Sequence, residues 1–300
     1  MTSLNLTALA EELALPEAVL GPLAQAAEPL PEGFPYERLA SPETAEGAWR
    51  DITARLPAWE EDGGMAQLAA ALAGACRTRR AYRERNIPDE IFLNTMGCFR
   101  RFLMETHEMS GRWAFDRGFW TWRQTGCLLF RLGTLEFEYC GPMRGEHRPK
   151  ELAEAPVVNV HIPSNAVLTR EELDRSYDRA ERFFAEEGHA LCHQGPPRAV
   201  LCGTWLLAPA LAELLPEGSG IRCFAGDYRL YAVEEDAPDF YRWLFGSEEP
   251  LPVKALPERT SLQRRAKARL AAAHPDSNFP GPPNVKAAPN GPGPTLRLPE

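Results

Sequence analysis

The chain lacks the features that tie proteins to nucleic acid, to a membrane or to an oxidising compartment. Basic residues are outnumbered, with 33 Lys and Arg against 42 Asp and Glu, for a net charge of -9. The sequence pI is about 5.4. Binding along a phosphate backbone needs a basic face, so nucleic acid is not an expected partner. No apolar run approaches the roughly 18 residues of a membrane-spanning helix, so no membrane association is expected either. The opening MTSLNLTALAEELALPEAVLG has no basic start and carries Glu11, Glu12 and Glu17. That excludes a signal peptide and predicts a cytoplasmic protein. The cysteines, Cys76, Cys98, Cys127, Cys140, Cys192, Cys202 and Cys223, are odd in number, widely spaced and without a CxxC. Neither a metal site nor a disulfide framework is suggested, and reduced, mostly buried thiols are expected.

What is present points to a globular α+β protein. A length of 300 residues allows one large domain or two ordinary ones. Residues 1–111 read as a helical domain. Ser41 followed by Pro42 marks a helix start. GMAQLAAALAGACRTRRAYRER is rich in strong helix formers. Phe92, Met96, Phe99 and Leu103 recur at helical spacing and form one apolar stripe. From residue 112 the pattern changes. Trp120, Trp122 and Gln124 alternate with Thr121, Arg123 and Thr125, and Leu135, Phe137 and Tyr139 alternate with Glu136 and Glu138. This predicts two or three antiparallel strands with tight turns. GPMRGEHRPKELAEAP reads as a loop.

From Val157 the order is strand (157–162), helix (about 170–187), strand (198–205), a short helix (207–215) and a further strand region (219–233). Strand–helix–strand predicts a parallel pair, so the sheet is mixed. Val158, Val160 and Ile162 share one strand face, and Val157, Asn159 and His161 the other. Thr169 followed by Glu172 is a capping-box pattern. Leu173, Tyr177, Ala180 and Phe184 form a stripe for the sheet. A free helix N-terminus can receive a phosphate. Here Glu171 and Glu172 oppose an anion, and the loop PSNAVL has no glycine. TSLQRRAKARLAAA reads as a last helix. Residues 274–300, rich in Pro, Gly and Asn, read as a disordered tail.

The pieces FWTWRQTGCLLFRLGTLEFEY, VVNVHIPSNAVLTREELDRSYDRAERFF, LCGTWLLAPALAELLPEGSGIRCF and TSLQRRAKARL together resemble a bacterial acyltransferase family. Its members carry an N-terminal helical N-acyltransferase-like domain and a GNAT-like C-terminal domain. The resemblance implies a helical domain (1–111) followed by a GNAT-like mixed sheet flanked by helices (112–273). It implies acyl-CoA as co-substrate, lying where two parallel strands splay; the acceptor is open, and the net negative charge favours a small amine over nucleic acid. The pantetheine arm would pair with Asn159, Val160 and Ile162. The pyrophosphate would meet the loop from Ser164 and Asn165 to Thr169. The superfamily's usual Gln/Arg-x-x-Gly-x-Gly/Ala motif is absent after Ile162, and LLAPALAELL lacks the tyrosine that often serves as general acid.

Acyl transfer to an amine needs a base, a donor to the thioester oxygen and an acid for the leaving thiolate. His161 is the candidate base, with a hydrogen-bonded structural histidine as the alternative. Cys202 and Thr204 share one side-chain parity and are candidates for the thioester side. The alternative for Cys202 is a buried strand thiol. Arg123, Arg131 and Glu136 form either a substrate surface or buried salt bridges. The cluster RTRRAYRER is either a solvated face or a site for the adenosine 3′-phosphate. Two further readings stand beside the transferase: a catalytically silent GNAT-like binding module, and a Cys202/His161 hydrolase.

Overall fold

The computed structural model describes residues 3–31, 33–142, 152, 155–187, 191–234, 239–247, 251–273 and 283–289. The loop expected after residue 142 lies largely outside them.

Among the described residues eight α-helices come first: α1 (Ser3–Glu12), α2 (Glu17–Ala27), α3 (Ala45–Thr53), α4 (Trp59–Asp62), α5 (Met65–Glu84), α6 (Asp89–Met96), α7 (Cys98–Ser110) and α8 (Gly118–Thr125). The hairpin strands β1 (Leu129–Leu132) and β2 (Leu135–Pro142) follow, then β3 (Pro156–His161), α9 (Arg170–Arg182) and β4 (Ala199–Thr204). Then come α10 (Pro209–Ala212), α11 (Gly220–Ala225), β5 (Tyr228–Glu234), α12 (Asp239–Phe245), α13 (Ser261–Ala273) and β6 (Asn284–Pro289). The six strands form a mixed sheet in the order β1-β2-β3-β4-β6-β5. No described helix is long and apolar enough to cross a membrane.

The chain divides into two compact units. The first comprises Met1–Leu132, Glu136–Tyr139 and Arg182–His193. Its hub is α5, where Leu68 to Ala73 are all fully buried and the small residues let α1, α2 and α8 approach closely. The helix is started by Asp62, whose carboxylate accepts from Gly64 N at 2.8 Å and Ala66 N at 2.7 Å. Gly64 has φ of 76°, and a Cβ there would fall 2.1 Å from Phe115 O, so only glycine fits. The stripe Phe92, Met96, Phe99 and Leu103 is wholly buried, although it is divided between α6 and α7.

Two expectations are corrected here. The Trp120–Gln124 alternation forms helix α8, not a strand. Thr121, Gln124 and Thr125 face inward on it, and Thr125 O accepts from Thr78 Oγ1 of α5 at 2.6 Å. The first unit therefore runs past the expected boundary at residue 111. Arg123 lies 4.0 Å and 4.3 Å from the ring centres of Trp120 and Trp122 and pairs with Glu138 at 2.9 Å. Arg101 meets Glu136 at 2.7 Å, with Arg131 at 4.0 Å. These charges form partly buried salt bridges of the first unit, with Glu136 itself buried.

The second unit comprises Gly133–Leu135, Cys140–Glu181 and Gln194–Glu300. Gly133, at φ of 77°, makes the turn between β1 and β2, and a Cβ there would lie 3.1 Å from Ser176 Cα of α9. Leu173, Tyr177 and Ala180 of the expected stripe are buried on α9, and Phe184, also buried, falls in the π-helical turn Phe183–Glu187 that follows it. A second apolar cluster joins Trp205 and Leu211 to Phe240, Tyr241, Leu244 and Leu270 of the last two helices. The strand expected over residues 219–233 is split, with α11 in its first half and β5 in its second. The tail is also corrected, because residues 284–289 form β6, with Val285 and Ala287 buried. This strand sits inside the sheet, between β4 and β5.

Candidate functional site

Among the described residues of the second unit, β4 changes its pairing partner along its length. β3 and β4 run parallel, with Val157 opposite Ala199, Val158 opposite Val200 and Asn159 opposite Leu201. From Cys202 onward the pairing of β4 is antiparallel with β6: Cys202 opposite Ala287, Gly203 opposite Lys286 and Thr204 opposite Val285. Val160 and His161 thus lie beyond the parallel register, where β3 departs from β4.

Opposed residues share a face, so the register sorts the candidates. Val158, Val160, Val200, Cys202 and Thr204 stand on one side. Asn159, His161, Leu201, Gly203 and Lys286 stand on the other. The structure therefore does not bring His161 together with Cys202 and Thr204. A Cys202/His161 pair, the basis of the hydrolase reading, is split by the sheet.

The two faces differ in character. Cys202 is 1% exposed, and burial pushes its thiol up to about 12. Its Sγ donates to Val160 O at 3.5 Å, across the point where the strands part. Tyr177 of α9 and Tyr228 of β5 lie within electrostatic reach of this thiol. Their hydroxyls are 3.3 Å apart, and Tyr177 also donates to Asp227 Oδ2 at 3.3 Å. Burial raises both phenols, so both are neutral donors. Thr204 Oγ1 accepts from Leu206 N at 3.2 Å and starts the 3-10 turn Trp205–Leu207. The opposite face is open towards its end. His161 and Asn159 are half-buried, Gly203 is exposed, and Asn159 Nδ2 lies 3.4 Å from His161 Nε2.

The loop from Ile162 to Thr169 is tied down from within. Ala166 N donates to Pro163 O at 2.9 Å, and Val167 N to Thr134 Oγ1 at 2.6 Å. Thr169 caps α9, accepting from Glu172 N at 3.4 Å, as its spacing predicted. Arg175 pairs with both Glu171 and Glu172, and Arg170 pairs with Asp227 at 2.6 Å. Ser164 and Asn165 are exposed at the loop's tip. The backbone N–H groups of Ala166 and Val167 are thus engaged within the protein. Among the described residues, no group of three His, Cys, Asp or Glu side chains is placed to hold a metal ion.

Gly203 and Lys286 are the residues of this face that sequence reasoning passed over. The alternation of buried Val285 and Ala287 around Lys286 was the available signal, hidden in a Pro- and Gly-rich context.

Two family models match the chain. One is the N-acyltransferase N-terminal domain, over residues 5–127. The other is the GNAT-like C-terminal domain, over residues 129–281. Solved structures share the fold. An acyltransferase in complex with decanoyl-CoA and teicoplanin is 22% identical, over 93% of this chain and 85% of that one, with a TM-score of 0.69. A mutant acyltransferase in complex with octanoyl-CoA is 23% identical, over 94% and 87%, also with a TM-score of 0.69. An acyltransferase in complex with decanoyl-CoA is 20% identical, over 94% and 98%, with a TM-score of 0.63. No curated protein matches the chain.

Proposed function

Because the chain belongs to the family that joins an N-acyltransferase N-terminal domain to a GNAT-like C-terminal domain, we propose that it is an acyl-CoA-dependent N-acyltransferase. It moves an acyl group from the coenzyme A thioester to the amine of an acceptor, directly, in a ternary complex. The observation that carries this reading is the departure of β3 from β4 after Asn159 and Leu201, with a histidine on the open face of the departing strand.

In this reading the pantetheine arm lies along the end of β3 that departs from β4 and pairs with the backbone of Asn159, Val160 and Ile162. Ser164, Asn165 and the hydroxyl of Thr169 meet the pyrophosphate. Asn159 donates its amide N–H to His161 Nε2, which leaves the proton on Nδ1 and the lone pair on Nε2. The incoming amine displaces that 3.4 Å contact and gives its proton to Nε2 as it attacks the thioester carbon. Collapse of the tetrahedral intermediate breaks the C–S bond. The imidazolium then returns the proton to the thiolate, giving amide and coenzyme A. Cys202, buried and protonated, steadies Val160 O where β3 leaves β4, and Thr204 turns the chain at the end of β4. Acyl-CoA complexes of the structural neighbours support the co-substrate, and decanoyl and octanoyl chains favour a medium-length acyl group. The teicoplanin complex widens the acceptor class from a small amine to the amine of a larger polar product.

Thermal unfolding with acetyl-, octanoyl- and decanoyl-CoA tests this. A ligand at 100 times its Kd adds about 2.7 kcal/mol of stability and raises the midpoint. No shift with any chain length removes the transferase reading.

A further inference from the structure

On the face of His161, the neighbouring strand contributes Gly203 and the strand beyond it contributes Lys286. His161 lies two residues beyond Asn159 on β3, as Gly203 lies two residues beyond Leu201 on β4, and each keeps its predecessor's face. Adjacent strands lie about 4.8 Å apart, so His161 and Lys286 rise from the same face at least about 10 Å apart, the gap widening as β3 departs. The position between them holds no side chain. A Cβ built on Gly203 would meet no heavy atom within 4 Å. Two polar side chains therefore flank a slot with a bare backbone floor. Lys286 stands on β6, which begins after the matched GNAT-like segment ends at residue 281.

We propose that Lys286 is a catalytic residue of the acyl-transfer site and that Gly203 keeps the slot between it and His161 open. This rests on the transferase reading above. The amine approaches on the His161 side and its nitrogen bonds to the thioester carbon. The C=O π pair moves onto the oxygen, on the Lys286 side, where the ammonium compensates the negative charge. When the pair returns to reform C=O, the C–S bond breaks and the thiolate takes the proton held by His161. A compact ammonium suits this task, since the charge appears only in the transition state. The slot takes a linear acyl carbonyl and a primary amine, and a β-branched residue at 203 fills it.

The test uses the full chain with decanoyl-CoA and a primary-amine probe, and separates turnover from binding. Lys286→Met is expected to lower kcat by about 10²-fold, the usual consequence of removing one oxyanion donor, with the Kd for decanoyl-CoA unchanged within about twofold. Lys286→Arg is expected to restore much of the rate. Gly203→Val is expected to keep the thermal midpoint, because valine suits a strand and the space is empty, while turnover falls at least tenfold. An unchanged kcat in Lys286→Met, or a weaker Kd with normal kcat, overturns the assignment and leaves the transferase reading standing. Should Lys286→Met fail to fold, Gly203→Val decides: full turnover there refutes the slot. If the wild-type chain neither binds nor turns over decanoyl-CoA, the transferase reading fails and this proposal falls with it.

Discussion

Glu136 offers a sharp contrast between a structural and a catalytic role. Its side chain is 3% exposed and meets Arg101 at 2.7 Å and Arg131 at 4.0 Å. Burial lowers the pKa of Arg131, and the carboxylate of Glu136 opposes that shift. Glu136→Gln keeps the shape and removes the charge. Arg101 retains Glu105 at 3.6 Å, but Arg131, with its side chain 12% exposed, loses the carboxylate 4.0 Å from its guanidinium. Breaking a buried pair in this way costs about 3–5 kcal/mol. For a unit of this size that is a fall in thermal midpoint of about 6–20 °C. The control is Glu84→Gln, which breaks an exposed pair with Arg80 and should cost less than about 0.5 kcal/mol. Urea titration is the assay, read as a lower midpoint with an unchanged m-value. At a temperature where the variant stays folded, acyl transfer should be near wild type. Equal losses in the two variants, or a stable Glu136→Gln protein with lost activity, would refute the reasoning and return Glu136 to the substrate surface.

Three further predictions follow from burial and charge. At pH 8, iodoacetamide should modify the exposed Cys140 readily and leave Cys202 untouched until unfolding, because burial holds that thiol near 12. Equal labelling rates in the native state would return Cys202 to the site. Glu12 and Asp89 have lowered pKa values because each hydrogen-bonds Arg79. Their contribution is present above the ordinary carboxylate range and is lost as pH falls through the lowered values. The gap in thermal midpoint between wild type and Arg79→Met should therefore be widest near neutral pH and shrink below about pH 4. Hydrogen exchange should show protected amides within Asn284–Pro289, and rapid exchange across all of them would contradict β6.

The strand–loop–helix unit around His161 was legible because its signals are local. Val158 and Val160 alternate with Asn159 and His161, Thr169 and Glu172 form a cap, and the α9 stripe repeats at helical spacing. The segment Trp120–Gln124 was not. Its period-2 pattern arises because Trp120 and Trp122 both stack on Arg123, while Thr121, Gln124 and Thr125 turn inward on a helix. β6 was hidden for a different reason. Its partners are Cys202–Thr204 and Tyr228–Glu234, 50 to 85 residues away, and nothing local distinguishes NVKAAP from a proline-rich tail. The shared parity of Cys202 and Thr204 could be read from the chain. Their separation from His161 could not, because it depends on the register between β3 and β4.

The proposed reaction puts acyl-CoA at the departing end of β3 and the attacking amine's proton on His161. It is tested most directly by coenzyme A release from decanoyl-CoA, followed chromatographically with and without an amine probe, in wild type and His161→Ala. Release by the wild type should depend on the amine. His161→Ala should lower it by about 10²- to 10⁴-fold while the Kd for decanoyl-CoA stays within about twofold. Amine-dependent release at the wild-type rate in His161→Ala would contradict the account.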